Sequence, residues 1–253
     1  MKQPIDSAKP AARARDAWAP LLAGLAVVFA LFQVLAHALG SDRGQAGLLV
    51  AAAVIAALVA VECLLFRQSP ASALVSLGFG RPATLGLTAA LGLCVVLVAV
   101  IPAYAAVRGA SIAVYPGWIW LLPGLFAQGG VAEEALFRGY LFSRLRRGRS
   151  FWRAAGLASM PFVLVHLYLF ATLPWPVALA SVLLATVISF PLSQLFELGG
   201  NTVWPPALLH FTVQGAVKIL EVPGDAIVPL VWMMASAAIP WLAFLFRRAG
   251  ANR

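Results

Sequence analysis

Gly129-Gly130-Val131-Ala132-Glu133-Glu134-Ala135-Leu136-Phe137-Arg138-Gly139-Tyr140-Leu141-Phe142 sets two adjacent carboxylates and a guanidinium inside a long apolar run. Ionisable side chains are costly within lipid, so they face a bundle interior or a water-filled cavity and mark function there. Helical spacing separates the two acids. Glu134 and Arg138 stand at i and i+4, share a face and can pair. Glu133 lies ~100° round the helix from Glu134, so the same helix offers it no partner. The spacing makes Glu134–Arg138 a structural pair and leaves Glu133 as the working acid. The competing reading is a plain salt-bridge cluster that holds helices together.

The chain around this stretch has 253 residues, 62% hydrophobic and 11% charged, with a mean hydropathy of +0.92. That is the composition of an all-α polytopic membrane protein, not of a soluble domain. The net charge of +9 sits in short segments that flank apolar runs. Positive residues so placed hold loops in the cytoplasm, which argues against a nucleic-acid partner. Cys63 and Cys94 both lie in apolar runs and read as packing residues, with no disulfide or metal site. Residues 1–17 carry Lys2, Lys9, Arg13 and Arg15, and Ala36-His37-Ala38 resembles a signal cleavage site. The intervening run, 18–39, is long enough to span, so an uncleaved first helix is expected.

About eight transmembrane helices are expected, over 18–39, 46–66, 83–107, 118–145, 151–172, 177–198, 206–220 and 226–246. Glu62, beside Arg67 at the end of the second span, is expected to reach the interface. The 67–83 loop has room for a short surface helix, 108–117 reads as a loop, and Trp118 and Trp120 look like an interfacial belt. The densest charge run, Arg144, Arg146, Arg147, Arg149 and Arg153, reads as a topology signal. Eight spans put both termini on the side of the 67–83 and 143–153 loops. The other side has Arg43, Arg108 and Lys218, diluted by Asp42, Glu221 and Asp225. The expected organisation is a basic cytoplasmic segment (1–17), one transmembrane domain (18–246) and a basic cytoplasmic tail (247–253), in a bacterial-type plasma membrane.

The strong polar groups at depth are Glu133, Glu134, Arg138, His166, His210 and Gln214. Measured from the cytoplasmic helix ends, Glu133 lies ~16 Å in, His166 ~22 Å and His210 ~10 Å. The three can therefore meet in one layer on the cytoplasmic side of the midplane, where an aqueous opening is expected. His210 and Gln214, at i and i+4, point the same way, and two convergent donors can stabilise an oxyanion. Phe162 has the same spacing from His166 and can wall it. A Glu in such a pocket can take a proton from water as general base. No serine stands in a nucleophile motif and the cysteines lack polar context, so the set supports hydrolysis by an activated water.

Two alternatives stay open. Glu133, His166 and His210 form a two-His, one-carboxylate set suited to zinc, although no His-Glu-x-x-His helix is present. The same cluster could instead serve a non-catalytic protein, as an ion or proton site or as a scaffold for a partner's transmembrane helix.

Glu133-Glu134-x-x-x-Arg138, continuing Gly139-Tyr140-Leu141, resembles the first signature of the CPBP (Abi) intramembrane proteases, which include the type II CAAX prenyl endopeptidases and the bacteriocin-processing proteins. Phe162-x-x-x-His166 is similar to the second signature. His210-x-x-x-Gln214 is similar to the third, which usually reads His-x-x-x-Asn. The motif core covers about 125–218. The resemblance implies an eight-helix fold and a metal-independent endopeptidase with no cofactor. Its partners would be the lipid bilayer and a peptide or protein substrate at the membrane, such as a CAAX-like or sorting tail or a bacteriocin-type peptide. It implies that Glu133 and His166 activate water, that His210 and Gln214 bind the oxyanion, and that Glu134 and Arg138 shape the site. Gln214 departs from the pattern: its extra methylene can move the donor by about an ångström, enough to cost rate.

Overall fold

Long apolar runs in lipid must satisfy every backbone N–H and C=O internally, which leaves helices as the available structure for this sequence. The structure is a computed structural model that describes residues 18–39 and 46–246. Residues 1–17, 40–45 (with Asp42 and Arg43) and 247–253 lie outside the described residues. Helix α1 is Trp18–Ala38, α2 Gly47–Phe66, α3 Pro70–Ser76 and α4 Thr84–Arg108. α3 is the short helix foreseen in the 67–83 loop. Ser69 caps it by accepting from the Ser72 N–H (3.3 Å), and Pro70 fills the first turn, where no N–H is needed.

The next rod changes character along its length. It opens as α5 (Trp118–Leu125), widens into π-helix over Phe126–Ala132 and again over Ala135–Phe142, and closes as α6 (Ser143–Arg146). Glu133 and Glu134 occupy the step between the two π segments. Such widened turns are frequent at functional sites. Then follow α7 (Phe151–His166), α8 (Leu169–Thr172), α9 (Trp175–Leu198), α10 (Trp204–Ile219) and α11 (Val228–Ala238), which runs into a 3-10 segment, Ile239–Leu245.

Among the described residues six stretches are long and apolar enough to cross a membrane: Trp18–Ala38, Gly47–Phe66, Thr84–Arg108, Phe151–Thr172, Trp175–Leu198 and Val228–Leu245. The all-α polytopic architecture is therefore present, and the number of spans is six by this measure rather than eight. The difference lies in the two elements that carry the motifs. The rod from α5 to α6 is broken by its π segments. α10 has 16 residues and so extends ~24 Å, short of the ~30 Å hydrocarbon core.

The antiparallel rods define two ends. At one, the Ala83 N–H donates to Gly199 O (2.9 Å), the Val203 N–H to Gly78 O (3.0 Å), and Arg146 pairs with Glu197. This arginine end gathers Arg67, Arg81 and the 144–153 run. At the other end, β1 (Ala113–Val114) pairs antiparallel with β2 (Leu220–Glu221), and the Tyr115 N–H donates to Ile219 O (2.8 Å). This strand end also joins Tyr104 of α4 to Asp225 (2.9 Å).

Glu62 corrects an expectation. It does not reach the interface beside Arg67 but is wholly buried, paired with Arg144 and accepting from Gln68 Nε2 (2.8 Å). Arg144 also lies over the rings of Phe66 (4.0 Å) and Tyr140 (4.7 Å). α2 packs on the rod so that a desolvated carboxylate meets a desolvated guanidinium, which such groups require. Arg144 is thus a packing residue as well as part of a charge run. One apolar core wraps the rod, from Ala132, Leu136 and Phe142 to α1 and α2. A second joins α4, α9, α10 and α11 around Leu97, Leu192 and Leu209.

Candidate active site

The rod, α7, α9 and α10 bring the polar residues together. Glu134 is fully buried, and its Oε1 accepts from Arg138 Nη1 (3.0 Å) and lies 2.7 Å from His210 Nδ1. Arg138 Nη2 donates to Ser189 Oγ (3.2 Å) and Ser189 O (3.4 Å), and its guanidinium lies 4.6 Å over the Phe162 ring. A buried ion pair tolerates desolvation only when its remaining donors are met. Ser189 of α9 meets two of them here. The sequence reading passed over Ser189, although a serine in the middle of an apolar helix was a usable signal. Glu134 Oε2 has no partner among the described residues.

The Glu134–His210 contact sets the proton on that imidazole. An ionised carboxylate only accepts, so His210 donates from Nδ1 and presents its Nε2 lone pair. The Gln214 carboxamide nitrogen donates to that Nε2 (2.5 Å), and Glu133 Oε2 stands 3.8 Å from it. His166 is fixed in the same way: its Nδ1 donates to Phe162 O (2.6 Å), which leaves Nε2 free. Phe162 packs edge-on against both imidazoles, with centroids 4.8 Å from His166 and 6.1 Å from His210. The six strong polar groups named at depth, and Phe162, therefore lie in one cluster. Glu134 and Arg138 form its buried floor. Glu133, Phe162, His166, His210 and Gln214 face a common cavity. Glu133 and His166 share this cavity without a hydrogen bond or ion pair between them.

The cavity has a volume of about 1060 Å³. It runs from Glu133 past Gln128, Tyr168 and Ser181 toward Lys218, Glu221 and Asp225 at the strand end. Leu173 and Val177 on its rim are 40% and 50% exposed. Toward the arginine end the route is filled: Phe142 packs against Phe151 and Phe196, both at 6.0 Å, and Leu136, Tyr140 and Leu145 are buried beside them. The opening expected beside the basic loops is therefore at the opposite end. Depth along a helix follows from residue number, but which side of a layer is packed shut depends on aromatic contacts between distant helices.

The zinc alternative finds no ready donor group in the structure. Among the described residues no three His, Cys, Asp or Glu side chains stand together as a metal-holding group. His210 Nε2, the nitrogen that would face a metal, takes the Gln214 carboxamide instead.

Comparison with known families matches residues 114–216 to the model described as type II CAAX prenyl endopeptidase Rce1-like. The match spans all three motifs and bears out the family resemblance. No curated protein and no solved structure matches the chain. The chain is an integral membrane protein whose residues 114–216 are similar to that family's model.

Proposed function

We propose that this protein is an intramembrane endopeptidase of the glutamic, metal-independent type. The observation that carries this reading is the unequal environment of two adjacent carboxylates. Glu134 is fully buried against Arg138 and His210, while Glu133 keeps 17% exposure at the cavity's inner end. A general base must be within reach of water. Glu133 is, and the nearest basic group to it, His210 Nε2, stands 3.8 Å away while Glu134 holds the other ring nitrogen.

Water bound between Glu133 and His166 gives a proton to Glu133 as its oxygen attacks the scissile carbonyl carbon. The carbonyl oxygen becomes an oxyanion. When His210 takes a proton from cavity water at Nε2, the Gln214 carboxamide is released from that nitrogen, and both groups donate to the oxyanion, with Glu134 balancing the imidazolium charge. The proton on Glu133 then passes to the amide nitrogen as the C–N bond breaks. The products are a new carboxyl terminus and a new amino terminus. Arg138 and Phe162 act by position, one fixing Glu134 and the other both imidazoles. The substrate is a peptide or protein segment in or at a bacterial-type plasma membrane, and both termini of the enzyme are cytoplasmic.

Comparing protein termini in native membranes carrying wild type or Glu133→Gln tests the reading. New termini that appear only with wild type, and persist with a chelator, are expected. Equal termini in both, with both proteins inserted and expressed, would refute it.

A further inference from the structure

The charge asymmetry and the cavity point in opposite directions. Arg67, Arg81, Arg147 and Arg153 lie at the arginine end, with Arg144, Arg146 and Arg149 beside them. The strand end carries Arg108 and Lys218, offset by Glu221 and Asp225. Retention of Lys and Arg in the cytoplasm orients a membrane protein with its basic end inside. The strand end, where the cavity opens, therefore faces outward.

Access from the cytoplasm is shut by the Phe142, Phe151 and Phe196 packing and by the buried Glu62–Arg144 pair beneath the site. The outward cavity is walled by Phe29, Leu184, Leu230, Trp232 and Met233. One polar set, Glu133, His166, His210 and Gln214, closes its inner end, and another, Lys218, Glu221 and Asp225, lies toward its mouth. An apolar channel that ends on a few polar groups suits an extended apolar segment whose one reacting amide meets those groups.

Taking the site as proteolytic, we infer that its substrate is a membrane-anchored or exported polypeptide, cut in an apolar segment that enters from the non-cytoplasmic face. A tail carried on the cytoplasmic surface meets the packed end and does not reach Glu133.

The test uses full-length protein with Cys63→Ser and Cys94→Ser as background. Single cysteines are placed at the rim (Leu173→Cys or, independently, Val177→Cys), inside the cavity (Ser181→Cys) and at the arginine end (Arg81→Cys). Intact cells are treated with a membrane-impermeant maleimide. The rim and cavity cysteines are expected to label in intact cells, and Arg81→Cys only after permeabilisation. Labelling of Arg81→Cys alone in intact cells overturns the orientation. A labelled rim with an unlabelled Ser181→Cys overturns the open channel. Labelling needs no turnover, so it stands or falls apart from proteolysis. The substrate assignment is read from the Glu133-dependent termini. Their position in outward-facing segments supports it, and their position in cytoplasmic segments overturns it. The absence of any such terminus removes the proteolytic reading and the substrate with it, while the labelling pattern still decides the open face.

Discussion

Gly129 decides where the Gln214 carboxamide can sit. A Cβ on Gly129 would come within 2.4 Å of Gln214 Oε1. Read from the sequence, Gln in place of Asn promised a donor displaced by one methylene. The missing side chain at Gly129 is the space that takes up that methylene. Gly129→Ala should therefore displace the carboxamide and lower the cleavage rate by about 10-fold or more, since ångström misplacements cost that much. The clash is with the end of a flexible side chain, so the melting temperature should hardly change. Adding Gln214→Asn, one methylene shorter, should restore the rate. Failure of the double variant to recover above Gly129→Ala would remove this pairing. The motif residues were legible because ionisable groups are conspicuous in an apolar run. Gly129 stood in the same stretch, but nothing in its identity says which neighbour its space serves.

The helices were legible from hydropathy, and the widening of the rod was not. Apolar periodicity does not separate π from α turns over seven or eight residues, and the two-residue strands β1 and β2 carry no period at all. The rod approaches its neighbours where it lacks side chains. A Cβ on Gly139 would lie 2.1 Å from Leu77 O, a backbone atom that cannot swing aside. Gly139→Ala should therefore push the rod from the 77–79 turn and cost about 1–3 kcal/mol, read as a lower denaturation midpoint in detergent. The strand end has its own tie. Asp225 accepts from the Ile227 N–H (2.8 Å) and from Tyr104. The Ile227 N–H is the leading cause that holds its carboxyl below the ordinary value, and Tyr104 and Arg108 act in the same direction. A lowered folded value means that the contribution to stability is fully present above the ordinary aspartate value of about 3.9 and is lost as pH falls through the lower one. The melting difference between wild type and Asp225→Asn should thus be present at neutral pH and fade only in acid. A difference that fades near neutrality would contradict the tie.

At the scale of the whole molecule, basic residues serve two purposes that composition merges. Arg67, Arg81, Arg147 and Arg153 mark an end, whereas Arg144 also neutralises the buried Glu62. Arg144→Met should leave that carboxylate buried without its cation. Breaking such a pair costs about 3–5 kcal/mol, seen in denaturant unfolding, while the maleimide pattern of the two faces stays as in wild type. Inverted labelling in this variant would show that Arg144 sets topology instead. The same merging explains why the cavity's direction escaped the sequence. Charge counting orders the ends and residue numbers place the polar layer. The seal between layer and surface is made by Phe142, Phe151 and Phe196 from three helices, and no local pattern links them.

The account rests on a division of work between neighbouring carboxylates, and a crossed measurement on Glu133→Gln and Glu134→Gln tests it. Each variant is melted in detergent and assayed in membranes for the termini that wild type generates. Glu133→Gln should melt like wild type and generate none. Glu134→Gln should lose about 3–5 kcal/mol, as expected when a buried pair is broken. Cleavage that survives in Glu133→Gln, or a stability loss that follows Glu133 rather than Glu134, would contradict the account.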